Sequence, residues 1–173
     1  MKDQLKTIRD YIENSHGDEA SRADALVLLD NLTQAAQFKE RQDVIAFHQK
    51  FGVPVAPMAA FLNPEAYAFR VKFMQEELDE FQEAHSTGDM HGAADALVDL
   101  AYVVHGTAHM MGLPWPRLWD EVQRANISKV RATDASQSKR GTALDVIKPA
   151  GWVAPDHTPA LGTGPWPTLG EQV

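Results

Sequence analysis

The chain contains no cysteine, which excludes disulfides, thiolate metal sites and cysteine nucleophiles together. No apolar run approaches the roughly 18 residues that a membrane span needs. Met1-Lys2-Asp3-Gln4 leads straight into an amphipathic pattern, without the apolar segment of a secretory signal. These absences give the expectation of a cytoplasmic protein with no membrane partner. Positive charge is missing from a long internal stretch. Between Lys72 and Arg117 there is no Lys or Arg, yet eight carboxylates fall there: Glu76, Glu77, Asp79, Glu80, Glu83, Asp89, Asp95 and Asp99. Elsewhere acids and bases balance at 16 each, so the net charge of −8 sits in one 44-residue segment. A general nucleic-acid binder needs a basic face, so no nucleic-acid partner is expected.

What is present is a helical pattern. With 173 residues, 44% of them hydrophobic, the chain has the size and composition of one globular core. Periodicity and stop signals predict helices over about 3–14, 21–37, 40–51, 64–84, 91–111 and 115–131. Asn63-Pro64-Glu65 is a helix start, with a capping side chain, proline in the first turn and an early acid. No segment alternates convincingly as a strand, although 144–148 could pair briefly. Residues 151–173 hold four Pro and four Gly, the composition of an extended tail or a strap. The expectation is an all-α helical bundle: an N-terminal helical extension over 1–38, a catalytic bundle over 39–131 and an extended C-terminal segment over 132–173.

The acids carry the chemistry. Glu76, Glu77 and Glu80 fall, at about 100° per residue, within one arc about a quarter of the helix circumference wide. An arc of this kind is usually a solvated face, and Lys72, four residues before Glu76, suits an ordinary ion pair. The next helix differs. Residues 92–104 read GAADALVDLAYVV, apolar except for Asp95 and Asp99, which stack four residues apart. A helix apolar on most of its surface should be buried, and burying unpaired carboxylates costs several kcal/mol each. Acids on two facing helices with no basic neighbour call for a cation, and hard oxygen donors suit Mg²⁺ or Mn²⁺. Such ions keep positions open for water and phosphate oxygens. Two or more of them would polarise a phosphoryl group and activate a water, with a spare carboxylate taking its proton. The product set is then a monophosphate plus pyrophosphate. A di-iron centre, built from two Glu-x-x-His pairs, has a counterpart only in Glu13 and His16, at a predicted helix end.

Glu76-Glu77-x-x-Glu80 on one helix and Asp99 on the next resemble the MazG-like all-α nucleoside triphosphate pyrophosphohydrolases. That superfamily includes dimeric dUTPases, dCTP pyrophosphatases and phosphoribosyl-ATP pyrophosphohydrolases, and its signature is Glu-Glu-x-x-Glu followed by Glu-x-x-Asp. The likeness covers about Phe47 to Lys129 and, more loosely, Lys148-Pro149; residues 1–38 lie outside it. The signature's second Glu would fall at Ala96, and Asp95 is the acid able to replace it. The resemblance implies Glu77, Glu80 and Asp99 as ligands of the main metal, with Asp95 beside them. Glu76 becomes the general base or a ligand of a further ion. Asn126-x-x-Lys129 matches an element that faces the phosphates, with Lys72 and Arg70 as weaker phosphate candidates. Phe47, His48 and Phe51 are candidate base or sugar contacts, although aromatic stripes are more often core. The implied activity is hydrolysis of a nucleoside triphosphate, with dUTP, dCTP or a guanine nucleotide (GTP or dGTP) as candidates ahead of phosphoribosyl-ATP. The implied assembly is a homodimer or homotetramer. The alternative is a non-catalytic scaffold or adaptor, which the Ala96 departure favours.

Overall fold

The computed structural model describes residues 2–14, 19, 22, 23, 25–27, 29 and 39–170. Most of the expected helix over 21–37, and the break at 15–18, lie outside the described residues; residues 22, 23, 25–27 and 29 are helical. The helices are α1 (Lys2–Glu13), α2 (Lys39–Phe51), α3 (Pro64–Thr87), α4 (Met90–Met110), α5 (Trp115–Ile127) and the short α6 (Thr158–Leu161). The chain forms two compact units. The first comprises residues 1–54 and 68–107, and the second comprises 55–67 and 108–173.

Local chemistry explains where the long helices begin and end. Asn63 Oδ1 accepts a hydrogen bond from the Ala66 amide at 2.8 Å, satisfying one of the unpaired amides of the first turn of α3. Pro64 lacks only an N–H that would have gone unused there. At the other end Gly88 adopts φ +75°, a left-handed conformation that glycine takes without Cβ strain. Asp89 then caps α4, its Oδ1 accepting from the amides of His91 and Gly92, each at 3.1 Å.

The core of the first unit is built around Val44, Ala84, Ala93, Ala96 and Val103, with His48, Arg70 and Glu77 buried among them. Small residues let α3 and α4 approach. A Cβ built on Gly92 would stand 3.2 Å from that of Ala84, and one on Gly106 would stand 2.7 Å from Arg70 Nη2. Ala84 beside Gly92 and Arg70 beside Gly106 define an antiparallel register whose midpoint sets Glu77 opposite Asp99. The expectation that α4 is buried nearly all round is corrected. Leu97 is 50% and Val98 64% exposed, and Asp95 and Asp99 are exposed too. The buried residues of α4 are Ala93, Ala96, Val103, Gly106, Ala108 and Met110.

In the second unit, Ala56 and Ala60 donate backbone hydrogen bonds to Met110 and Met111. Gly112, at φ +61°, leaves room where a Cβ would lie 2.6 Å or less from two carbonyl oxygens. The sixth predicted helix stops at Ile127 and not at 131. Ser128 Oγ donates to the Ala125 carbonyl and the Lys129 amide to that of Asn126, closing the turn. Val130–Arg131 then pairs antiparallel with Val146–Ile147, so 144–148 does contain a paired strand. The C-terminal residues are a strap with its own short helix. Trp152 Nε1 donates to the Ala125 carbonyl, Arg124 to that of Ala154, and the Asp156 amide to Glu121. The strap ends in a parallel bridge between Phe61 and Thr168.

Two outcomes follow. Asn63→Ala should cost about 1 kcal/mol of stability, read from urea denaturation, with Asn63→Ser retaining most of it. Hydrogen bonds from Arg124 and then from the Asp156 amide hold the Glu121 carboxyl down to about 2. A depressed carboxyl contributes stability above its unfolded pKa and loses it as pH falls through the folded one. Glu121→Gln should therefore be less stable than wild type at pH 7, with the gap narrowing below about 4.5 and closing near 2. A constant gap across that range would refute the strap contact.

Candidate active site

Helix periodicity puts Glu76, Glu77 and Glu80 on one side of α3, and packing against α4 divides their roles. Glu77 points inward and is 6% exposed, while Glu76 and Glu80 remain exposed. Its Oε2 is buried with no hydrogen-bond partner, a costly state for a carboxylate oxygen. Burial raises the Glu77 pKa first; repulsion from Glu80, Asp99, Glu76 and Asp95, in that order, raises it further. Every acid of the expected metal set thus acts on one buried carboxylate. Ala96, where the superfamily signature has Glu, is buried core, and Asp95 lies among the acids that act on Glu77 instead. Among the described residues no three acidic or imidazole groups converge on one point. The acids surround Glu77 without closing into a finished cage.

An orphaned, buried, repelled carboxylate oxygen is what a divalent cation relieves, and an all-oxygen donor set fits Mg²⁺ or Mn²⁺. Glu77 and Asp99 also line a cavity of about 320 Å³ whose other walls are Phe47, His48, Arg70, Phe73, Tyr102 and Val103. Of the three predicted base contacts, Phe47 and His48 line this space and Phe51 does not. Phe51 stacks at a tilt on Phe47, with centroids 4.6 Å apart. Tyr102 meets Phe47 edge-on at 5.6 Å, in the range where aromatic pairs attract.

The cationic candidates are placed as follows. Lys72 pairs with Glu76 at 3.4 Å, both side chains largely in solvent, so the ion pair read from their spacing is present and weak. Arg70 is buried. Its Nη2 donates to the Val103 carbonyl at 2.6 Å and its Nε to Thr107 Oγ1 at 2.9 Å. In the second unit Lys129 Nζ donates to Asn126 Oδ1 at 2.8 Å. Both Lys129 and Lys148 lie over the ring of Trp152, at 5.9 and 4.1 Å from its centroid.

Sequence reasoning missed Phe73 and Tyr102, which line the cavity. The two aromatics follow helical spacing from residues that were noticed, Arg70 at i−3 and Asp99 at i−3, and that spacing was the available signal.

Residues 44–126, just under half of the chain, match the phosphoribosyl-ATP pyrophosphohydrolase family. This segment belongs to the MazG-like superfamily. The match spans the three glutamates, both aspartates and every residue lining the cavity. No curated protein matches the chain. That family points to a pyrophosphohydrolase acting on nucleotide phosphoanhydrides. The family matched carries the name of the substrate that the sequence reading ranked behind dUTP, dCTP and guanine nucleotides. Among the described residues no helix is long and apolar enough to cross a membrane.

The repulsion at Glu77 predicts a measurable sign. A raised carboxyl pKa disfavours the folded state at neutral pH. Glu77→Gln should therefore raise the metal-free Tm by a few degrees and reduce the further rise that Mn²⁺ gives wild type. Scanning calorimetry with and without Mn²⁺ checks both, and a lower metal-free Tm for the variant would contradict the assignment.

Proposed function

We propose that the protein is a divalent-metal-dependent hydrolase that converts a nucleoside triphosphate to its monophosphate and pyrophosphate. The observation that carries this reading is the buried, unpartnered Glu77 oxygen amid four further acids, at one end of an aromatic-walled cavity. Glu77, Glu80, Asp95 and Asp99 are the proposed holders of Mg²⁺ or Mn²⁺, with room for more than one ion. Bound ions would supply Lewis acidity at the α-phosphoryl group and lower the pKa of an attacking water.

The chain's own groups do the rest. Glu76, exposed at the edge of the cluster, accepts the proton of that water or holds a further ion. Lys72 stands one helical turn before it, as a cation for phosphate oxygens. Asn126 and Lys129 are proposed as phosphate contacts from the superfamily resemblance. Phe47 and His48 offer the base a wall, and Phe51 buttresses Phe47. Candidate substrates are dUTP, dCTP, GTP and dGTP, with phosphoribosyl-ATP behind them. A homodimer or homotetramer is proposed, because Val71, Leu78, Leu97 and Val98 are exposed apolar side chains that a second copy would cover. The proposed setting is the cytoplasm. A non-catalytic scaffold is the second reading, favoured by Ala96 in place of the signature acid and by the unclosed acid cluster.

A panel of these nucleotides with Mg²⁺ or Mn²⁺, following monophosphate and pyrophosphate separately, decides between them. The account expects pyrophosphate, and at least about a hundredfold loss of kcat in Glu80→Gln and in Asp99→Asn. Orthophosphate as the product, or wild-type rates in both variants, would overturn it. No turnover of any nucleotide, with no change in Tm on adding metal, would establish the scaffold.

A further inference from the structure

Arg70 is a buried cation without a carboxylate. It is 8% exposed, and burial lowers its pKa with no acid acting to restore it. The guanidinium is nevertheless fixed in place. The Val103 carbonyl and Thr107 Oγ1 accept from it, and the Thr107 hydroxyl donates to the same Val103 carbonyl at 2.8 Å. The Phe73 ring lies 5.6 Å beneath it. Gly106 leaves the space it occupies, since a Cβ there would come within 2.7 Å of Nη2. A group held this firmly is pre-organised.

A guanidinium has five N–H donors and no acceptor, and the protein engages two of them. Arg70 lines the same cavity as Glu77 and Asp99, seven residues along α3 from Glu77. At the helical rise that is about 10 Å, the reach of a nucleoside from its phosphate to the far edge of its base. The walls between are aromatic, suited to a flat ring and hostile to a phosphate. The Arg70 end therefore takes the far edge of a base, and that edge must accept hydrogen bonds.

We propose that Arg70 is a specificity residue which selects nucleobases carrying an oxo group on the edge remote from the sugar. Guanine and hypoxanthine present O6 and N7 there, the pair that arginine engages with two hydrogen bonds; uracil and thymine present O4. Adenine and cytosine place an amino group in that position, setting donor against donor and leaving the buried guanidinium unsatisfied. This inference rests on the proposed nucleotide site and narrows its substrates: guanine nucleotides and dUTP are favoured, and dCTP is disfavoured.

The test uses nucleosides, so neither phosphate chemistry nor metal enters. Isothermal titration of the full metal-free chain with inosine against adenosine, and with deoxyuridine against deoxycytidine, compares bases that differ at this edge. The oxo member of each pair should bind at least about tenfold more tightly. Arg70→Gln should reduce that ratio to about one, with circular dichroism and Tm confirming the fold. The wild-type comparison stands even if the variant does not fold. Binding that is absent, or equal within each pair, overturns the proposal, as does a folded Arg70→Gln that keeps the preference. Oxo preference without any triphosphate hydrolysis would refute the proposed function and leave this inference standing. Hydrolysis with equal nucleoside binding would do the reverse.

Discussion

Repulsion among like charges around one buried carboxylate is the constraint on which the first unit turns. Glu77 is held inside the α3–α4 packing while Glu76, Glu80, Asp95 and Asp99 act on it, and no Lys or Arg occurs between Lys72 and Arg117 to offset them. A protein that needed only a stable helix pair would do better with an apolar residue at 77, because replacing buried charge by well-packed apolar groups is often neutral or stabilising. Retaining the acid costs stability that a bound cation would return. Ala84, Ala93, Ala96 and the two glycines of α4 serve the same end, because a close helix approach brings acids on different helices into mutual range.

The aromatic cavity gives that charge a direction. Glu77 and Asp99 line it, Arg70 lines it seven residues away along α3, and Phe47, Phe73 and Tyr102 are among its walls. In the proposed site, Arg70 reads a hydrogen-bond-accepting base edge while phosphate stays with the acids. Residues 44–126, which contain this cavity, are similar to a family of pyrophosphohydrolases.

Much of this was legible in the sequence, for identifiable reasons. Asn63-Pro64 marks a helix start through chemistry that acts locally and sits where expected, whereas the same helix runs three residues past the expected 84, to Thr87 before Gly88. The arc of Glu76, Glu77 and Glu80 follows from helix geometry alone. Which of the three turns inward does not, because that depends on where α4 packs, and α4 is placed by alanines and glycines whose pattern is faint. The same gap explains the misjudged burial of Leu97 and Val98: an apolar stripe reads alike whether its own chain covers it or not. Val130–Arg131 is too short for any periodicity, so it was absorbed into the preceding helix. Phe73 and Tyr102 carry no sequence signal beyond their helical spacing from Arg70 and Asp99, and only the fold shows the cavity that both line.

The central claim is that the acids of α3 and α4 form one divalent-cation site. Titration of Mn²⁺ into the metal-free protein at pH 7, followed by electron paramagnetic resonance of the free ion, tests it most directly. Saturable binding that Asp99→Asn and Glu80→Gln each weaken at least about tenfold is the predicted result, since each removes a charged oxygen donor from one cluster. Binding that is absent, or that neither substitution changes, would contradict the account.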